Sequence, residues 1–375
     1  MTEGCPIVWL IFFFAGALFF LLYLLLISAF ARRWCYHKGA LNEVWGRQTK
    51  ISLIVAYRNE ADFLPAFVDA IKRQEAFDGS FELIAVNDHS DDGSEKLLSS
   101  QAIDHLIMLN AKGHGKKNAL REAIEMSRGE LIVTSDADCI PPDSWLKTLA
   151  LWYQGTGADM LVGPVKMIPD GSFSAYYDSI DYYSLQMSGA GAVMLGKPVF
   201  CSAANLAFTK AAWDEASGCM DGAKFASGDD VFLLHAFKKL KKSIVFVSDK
   251  GALVQTPVTG TVRGFFRQRV RWGGKSPAYK DSFSVLVALS VLFANLWLLA
   301  LIPASFCRDI CFRILIVAFT LKLLADYSLL KTGRRLFSIS YPFAIHLLFS
   351  MIYPFVLCLT AFGALMLPAR WKGRA

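Results

Sequence analysis

Leu131-Ile-Val-Thr-Ser-Asp-Ala-Asp138 decides the architecture of the chain. The run Leu131–Thr134 is short and apolar, and it stops at Ser135-Asp-Ala-Asp-Cys-Ile-Pro141. A run of this kind, bounded by turn residues, is a strand covered on both faces, the pattern of a parallel sheet. Two similar runs lie upstream. Ile51-Ser-Leu-Ile-Val-Ala56 breaks at Tyr57-Arg-Asn-Glu60 and is followed by helical spacing at Phe63, Phe67 and Ile71. Phe81-Glu-Leu-Ile-Ala-Val86 closes at Asn87-Asp-His-Ser-Asp-Asp-Gly93. Strands alternating with helices predict an α/β fold with a mostly parallel, Rossmann-like sheet. Ligands bind such sheets beyond the carboxyl ends of the strands. Polar residues gather at those ends: Asn59 and Glu60, Asp88 and Asp92, Asp136 and Asp138.

Two carboxylates at i and i+2 directly after a buried strand repel each other unless a cation joins them. Asp136 and Asp138 therefore fit a hard-metal site for Mg²⁺ or Mn²⁺, held through carboxylate and phosphate oxygens. A solvated turn opening with Asp is the plainer alternative. Gly113-His-Gly-Lys-Lys-Asn-Ala-Leu120 supplies flexible backbone and two lysines ahead of a helix, suited to an anion at the helix N-terminus. It lacks the Gly-Lys-Ser/Thr ending of a P-loop, and no G-x-G-x-x-G follows the first strand. Ser227-Gly-Asp-Asp230 precedes the helical run Val231–Lys239, as a capped helix start or as the place of a general base. Phe265-Phe-Arg-Gln-Arg-Val-Arg-Trp272 has the make-up of a basic, aromatic helix lying on anionic lipid.

Of the 375 residues, 54% are hydrophobic and 19% charged, against roughly 45–50% and 25% in ordinary soluble domains. That composition excludes a disordered chain. Much of the excess lies in Ile7–Phe30, 24 residues without a charge, longer than the ~20 a helix needs to cross a bilayer. Arg32, Arg33 and Lys38 follow it, while MTEGCP before it carries only Glu3. This pattern predicts an uncleaved anchor, residues 1–31, with its N-terminus outside and the following chain in the cytosol. Further apolar stretches at Phe283–Phe306, Ile310–Leu330 and Tyr341–Leu367 predict a membrane bundle over 283–368. The last of these contains Pro342 and Pro354: either it is re-entrant and the basic tail at 369–375 is cytosolic, the reading preferred, or the positive-inside rule fails at that tail. Lys322 and Asp326 are spaced i, i+4 and are expected to pair. The eight cysteines have neither zinc spacing nor a disulfide framework.

The net charge of +7 is unevenly placed. The windows 31–50, 260–282, 331–340 and 368–375 hold seventeen basic residues against the two acids Glu43 and Asp281, so the rest of the chain is acidic. Basic residues collected at membrane edges indicate membrane lipids as partners and argue against nucleic acid.

Taken together and in order, these motifs resemble those of the family 2 glycosyltransferases with a GT-A fold, in the membrane-embedded branch of cellulose, hyaluronan and chitin synthases. The resemblance covers about Ile51–Trp272. It implies a cytosolic GT-A domain over 50–260, an interfacial segment over 261–282, flanking transmembrane helices, and inverting transfer from a nucleotide diphosphate sugar. By that resemblance Ala56, Tyr57 and Glu60 line the nucleotide-sugar site, Asp88 contacts the base, and Lys116 lies near the nucleotide. Asp136 and Asp138 match the DxD pair, Asp138 as the direct ligand of Mg²⁺ or Mn²⁺. Asp230 matches the catalytic base, and Asp229 and Asn205 lie on the acceptor side. Gln268, Arg271 and Trp272 match a Q-x-x-R-W signature closing over diphosphate and acceptor. Ala204, Gly228 and Gln255 depart from the residues usual at their positions. The expected partners are a UDP-linked sugar and a glycan or lipid acceptor, in a bacterial inner membrane. The alternative of another class is a transporter or channel with a nucleotide-sensing domain.

Overall fold

The computed structural model describes residues 6–34, 48–220 and 229–366. It opens with a helix, α1 (Pro6–Arg33), in which no charge occurs before Arg32. Four strand–helix units follow: β1 (Thr49–Tyr57) with α2 (Leu64–Lys72), β2 (Gly79–Asn87) with α3 (Ser94–Ser99), β3 (Leu106–Asn110) with α4 (Lys116–Met126), and β4 (Leu131–Asp136) with α5 (Trp145–Thr156). Then come β5 (Met160–Val162), β6 (Val165–Ile168), α6 (Phe173–Met194), β7 (Leu206–Thr209), α7 (Lys210–Ser217), α8 (Asp229–Lys239), β8 (Ile244–Phe246) and β9 (Val254–Pro257). The chain ends in α9 (Val262–Gly273), α10 (Ser282–Ser305), α11 (Asp309–Phe337) and α12 (Phe343–Met366).

The main sheet, of seven strands among the described residues, has the order β3-β2-β1-β4-β7-β5-β8. Only β7 runs antiparallel, against both β4 and β5. A separate parallel pair, β6 with β9, lies beside it. Connections from β1 step outward to β2 and β3, and the chain then returns to the other side of β1 at β4. That reversal opens a crevice at the carboxyl ends of β1 and β4, where Ala56 lies opposite Asp136.

Both sheet faces are buried, which is why the strands are apolar at successive positions. Ile54, Ile84, Val86 and Ile132 belong to one core, and Leu53, Val55, Leu83 and Val133 to the other. Each such side chain contributes about 1.5–3 kcal/mol by leaving water. The first core continues into the helices through Phe30, Leu301 and Leu330. At that junction Gly191 of α6 meets α1 so closely that a Cβ would lie 2.5 Å from the Phe30 Cβ.

Among the described residues, three helices are long and apolar enough to cross a membrane, at Phe12–Arg33, Ser282–Ser305 and Phe343–Met366. The third is unbroken through Pro354, and Pro342 precedes it. The helix over this segment is continuous, because Pro342 lies outside it and Pro354 costs only one turn's hydrogen bond. Although α11 has 29 residues, its charges keep it out of that set; it lies along α1 and α10 and ends against α6. The expected pair forms, with Lys322 Nζ 2.6 Å from Asp326 Oδ2, and Asp326 also accepts from the Tyr23 hydroxyl of α1. The tail 369–375, with Ser227 and Gly228, falls outside the described residues.

Candidate active site

Loops after β1 and β2 are tied together before they reach the crevice. Asn59 N–H donates to Ser90 Oγ at 3.1 Å, Glu60 N–H to Ser94 Oγ at 3.0 Å, and Ala61 N–H to Asp92 Oδ2 at 2.9 Å. This fixes Glu60 facing the end of β4. The Asp138 carboxyl is pushed up to about 7, by burial first and then by the charges of Asp136 and Glu60, while Lys116 pulls the other way. Asp136, Asp138 and Cys139 each place a ligand atom within 4.8 Å of the others. Burial keeps the Cys139 thiol protonated, so oxygen donors dominate, and crowded carboxylates of this kind fit a hard divalent cation.

Gly115, at φ 92°, turns the chain into α4 in the left-handed region that favours glycine. Its N–H donates to Asp88 Oδ1 at 3.0 Å, so buried Asp88 holds the loop that delivers Lys116. Lys116 pairs with Asp136. Burial pulls its ammonium down, but Asp136, with Asp230 and Asp138, carries it above its usual range. Next to it Lys117 Nζ lies 3.3 Å from Asp229 Oδ1. Burial pushes Asp229 up, against Lys117.

Asp229 and Asp230 open α8, where the positive end of the helix favours acids. Asp230 Oδ2 accepts from Ala203 N–H at 3.2 Å and Oδ1 from Val231 N–H at 2.9 Å. The turn that carries Ala203 is joined to β4, since Thr134 Oγ1 donates to the Ala203 carbonyl at 2.9 Å and Ser135 Oγ to the Ala204 carbonyl at 3.1 Å.

Beyond them, α9 presents Gln268, Arg271 and Trp272 to the same cavity. Burial lowers Arg271, against Asp136 and Asp230, yet a guanidinium stays charged at neutral pH. Lys275, also lowered by burial, adds a second cation that faces Asp230. Arg269 anchors the helix: its Nε lies 2.6 Å from Asp181 Oδ2 and its Nη2 2.8 Å from Asp178 Oδ1, both on α6. The same guanidinium packs on the rings of Phe265 and Trp272.

One cavity, about 1220 Å³, gathers Ala56, Glu60, Lys116, Asp136, Asp138, Asp229, Asp230, Gln268, Arg271 and Trp272. It continues between α10 and α12, past Val285, Leu289 and Leu292 on one wall and Leu357, Ala361 and Ala364 on the other. Three expected residues do not line it. Tyr57 is 1% exposed, with its ring in the core. Asp88 is fully buried behind Gly115. Asn205 is fully buried, donating to the carbonyls of Pro164 at 2.9 Å and Ala252 at 2.7 Å while accepting from Trp145 Nε1 at 2.9 Å. Its amide is spent on joining loops, not on a ligand. Sequence reasoning missed Arg269 and Lys275. The signal for Arg269 was its spacing on one helical face with Phe265 and Trp272; Lys275 carried none.

Residues 52–216 match the family model described as Glycosyl transferase family 2. Over 142 residues the chain is 30% identical to glycosyltransferase AglE of Haloferax volcanii, covering 36% of this chain and 46% of that protein. Over 98 residues it is 33% identical to undecaprenyl-phosphate 4-deoxy-4-formamido-L-arabinose transferase of Yersinia pestis, covering 25% and 30%. The chain thus spans less than half the length of these curated relatives. Among solved structures it is similar to a mannosyltransferase of Pyrobaculum calidifontis in complex with GDP-Man and Mn²⁺, at a TM-score of 0.54 and 16% identity, over 95% of this chain and 96% of that one. At that identity the likeness speaks to the fold, which is GT-A.

Proposed function

Since residues 52–216 form a glycosyl transferase family 2 domain, we propose that this chain moves a sugar from a nucleotide diphosphate sugar to a lipid acceptor at the cytosolic face of a membrane. The observation that carries this reading is the single cavity that holds Asp138 and Asp230 at one end and the apolar walls of α10 and α12 at the other. A polar acceptor gains nothing from such walls, whereas an acyl or prenyl chain gains ~25 cal/mol per Å² buried there. Arg32 and Arg33 at the end of α1, and Arg334 and Arg335 near the end of α11, support a cytosolic domain by the positive-inside rule.

Asp138 and Asp136 would hold Mg²⁺ or Mn²⁺, which supplies positive charge for the leaving diphosphate. Glu60 and Lys116 flank the same oxygens. Ala56 offers backbone to the nucleotide, and Tyr57 and Asp88 act from beneath it by shaping the two loops. The UDP form of the donor rests on the resemblance of the ordered motifs as a whole to the membrane-embedded family 2 branch. Asp230 takes the proton from an acceptor hydroxyl. That oxygen attacks the anomeric carbon from the side opposite the diphosphate, and the configuration inverts. Arg271 neutralises charge as the diphosphate leaves, while Gln268 and Trp272 line the sugar's path. Asp229, held by Lys117, borders the acceptor. The test is incubation of the purified chain with radiolabelled nucleotide sugars and a membrane lipid extract. Label in the organic phase as single-sugar lipid supports the reading; a ladder of water-soluble polymer opposes it.

A further inference from the structure

α12 is as long as α10 and apolar enough to cross a membrane, yet its neighbours place it differently. Near its start, Phe343 packs on Tyr327 of α11 with ring centroids 5.2 Å apart, and His346 Nε2 lies 3.1 Å from the Leu323 carbonyl. Midway, Phe349 packs on Tyr177 of α6 at 5.0 Å, and Lys322 Nζ lies 4.9 Å over the Tyr353 ring. At its end the contact passes to α9. A Cβ on Gly273 would lie 3.0 Å from the Ala364 Cβ, and one on Gly363 2.9 Å from Val270 Cγ2.

These neighbours stand on the side of the bilayer that carries the α/β domain. α6 belongs to that domain, and α9 ends at Gly273, just before α10 enters the membrane at Ser282. α11 returns to the domain at its far end, where the Tyr183 hydroxyl of α6 donates to the Leu330 carbonyl and Arg334 and Arg335 close the helix. Leu323 precedes Lys331 by roughly 12 Å of helix, less than half of the ~30 Å hydrocarbon core. α12 therefore begins no deeper than that level and finishes beside the first turn of α10. Its length, roughly 36 Å, runs along the domain. Leu348, Met351, Phe355, Leu359 and Phe362 form one helical stripe, between 41% and 62% exposed. A free interfacial helix needs a charged face toward water; here α6 and α9 cover the face that holds Phe349, Gly363 and Ala364.

We propose that α12 lies within the leaflet on the domain's side and does not cross the bilayer, with the Leu348–Phe362 stripe as its contact surface for the acyl chains of that leaflet. Both ends of α12 are then on the domain's side. The sequence after it carries Arg370, Lys372 and Arg374, charges that the positive-inside rule keeps with the cytosolic domain. Leu289 of α10 lines the large cavity and is 38% exposed, so the slot between α10 and α12 opens into the same leaflet. Under the transferase reading, a lipid of that leaflet reaches Asp230 sideways and its sugar stays on that side. The placement of α12 itself does not depend on that reading.

The test uses the full chain with a peptide epitope fused after Ala375, reconstituted in both orientations in sealed vesicles of phosphatidylcholine and phosphatidylglycerol. Protease added outside digests every domain that faces outward. The epitope is expected to be lost from those molecules and kept wherever the domain is protected. Epitope that survives where the domain is digested, or disappears where it is intact, would show that α12 crosses and would overturn the proposal. A second measurement reads depth. Leu296→Lys and Phe355→Lys place a charge at exposed apolar positions in the middle portions of α10 and α12, 40% and 51% exposed. A lysine on an interfacial helix reaches the near headgroups, so Phe355→Lys is expected to hold the folded yield within about twofold, whereas Leu296→Lys lowers it at least about tenfold. Equal yields of the two variants, high or low, would overturn the proposal.

Discussion

Ala203 links Asp230 to the strand that carries Asp136: its N–H donates to Asp230 Oδ2 at 3.2 Å, and its carbonyl accepts from Thr134 Oγ1 at 2.9 Å. The proposed base and the proposed metal ligands are therefore set against each other by one short turn, although nearly a hundred residues separate them in the chain.

That arrangement predicts the outcome of Asp230→Asn. The shape persists and the one amide oxygen keeps either the Ala203 or the Val231 N–H, but no proton can be accepted. Transfer is expected to fall on the order of 10²–10⁴-fold, with nucleotide affinity within a factor of two or three of the original (about 0.5 kcal/mol). Calorimetric UDP titration beside the rate assay separates the two effects.

Asp138 predicts a pH dependence. Its carboxyl titrates near about 7 in the fold and near about 3.9 in an unfolded chain. A group raised in this way favours the fold while protonated. Its stabilising share is complete below the unfolded value and is lost as pH rises through about 7. The metal-free protein is expected to melt at progressively lower temperature across that window, and Asp138→Asn to flatten the trend. Added Mn²⁺ is expected to raise the melting temperature more above about pH 7 than below it, because the ionised carboxylate is the ligand. A thermal melt series at several pH values checks this.

Arg269 is an anchor, not a group that meets the reacting atoms. Its side chain is 10% exposed and that of Asp178 is 1% exposed. Removing one partner of such a pair costs about 3–5 kcal/mol, because the other charge is left buried and unpaired. Arg269→Met is expected to destabilise the protein by that order and to loosen α9. The double variant Arg269→Met, Asp178→Asn is expected to recover part of the loss, as measured by denaturant unfolding and by proteolysis near Thr259.

Asn205 should behave as a structural residue. Asn205→Ala leaves Trp145 Nε1 and the carbonyls of Pro164 and Ala252 without their partner, at a cost of at least about 2 kcal/mol. The folded fraction is expected to keep its Michaelis constants for donor and acceptor. A selective rise for the acceptor would return Asn205 to the acceptor side.

The crevice was legible because buried parallel strands are apolar at successive positions and stop abruptly at charged residues. Ile51–Ala56, Phe81–Val86 and Leu131–Thr134 lie in β1, β2 and β4, and Asp136 and Asp138 lie where the strand order reverses. The far half of the sheet was not legible. β5 and β8 have three residues each and β7 four, too few for any periodicity to register, and β7 is set by a turn whose key amide, Asn205, bonds to distant loops. The sequence also could not show which way a polar side chain faces. Tyr57, Asp88 and Asn205 sit in motifs expected to carry ligands, yet each is turned inward, whereas Arg269 is defined by acids on α6 some ninety positions away.

The most direct test of the central claim is transfer of label from a nucleotide sugar into lipid by the purified chain in nanodiscs, measured with Mn²⁺ or Mg²⁺, with EDTA, and in Asp138→Ala and Asp230→Asn. The account predicts metal-dependent label in the lipid phase that EDTA and both substitutions abolish. Label that persists through all three, or a chain that binds nucleotide sugar and never consumes it with any lipid supplied, would contradict it.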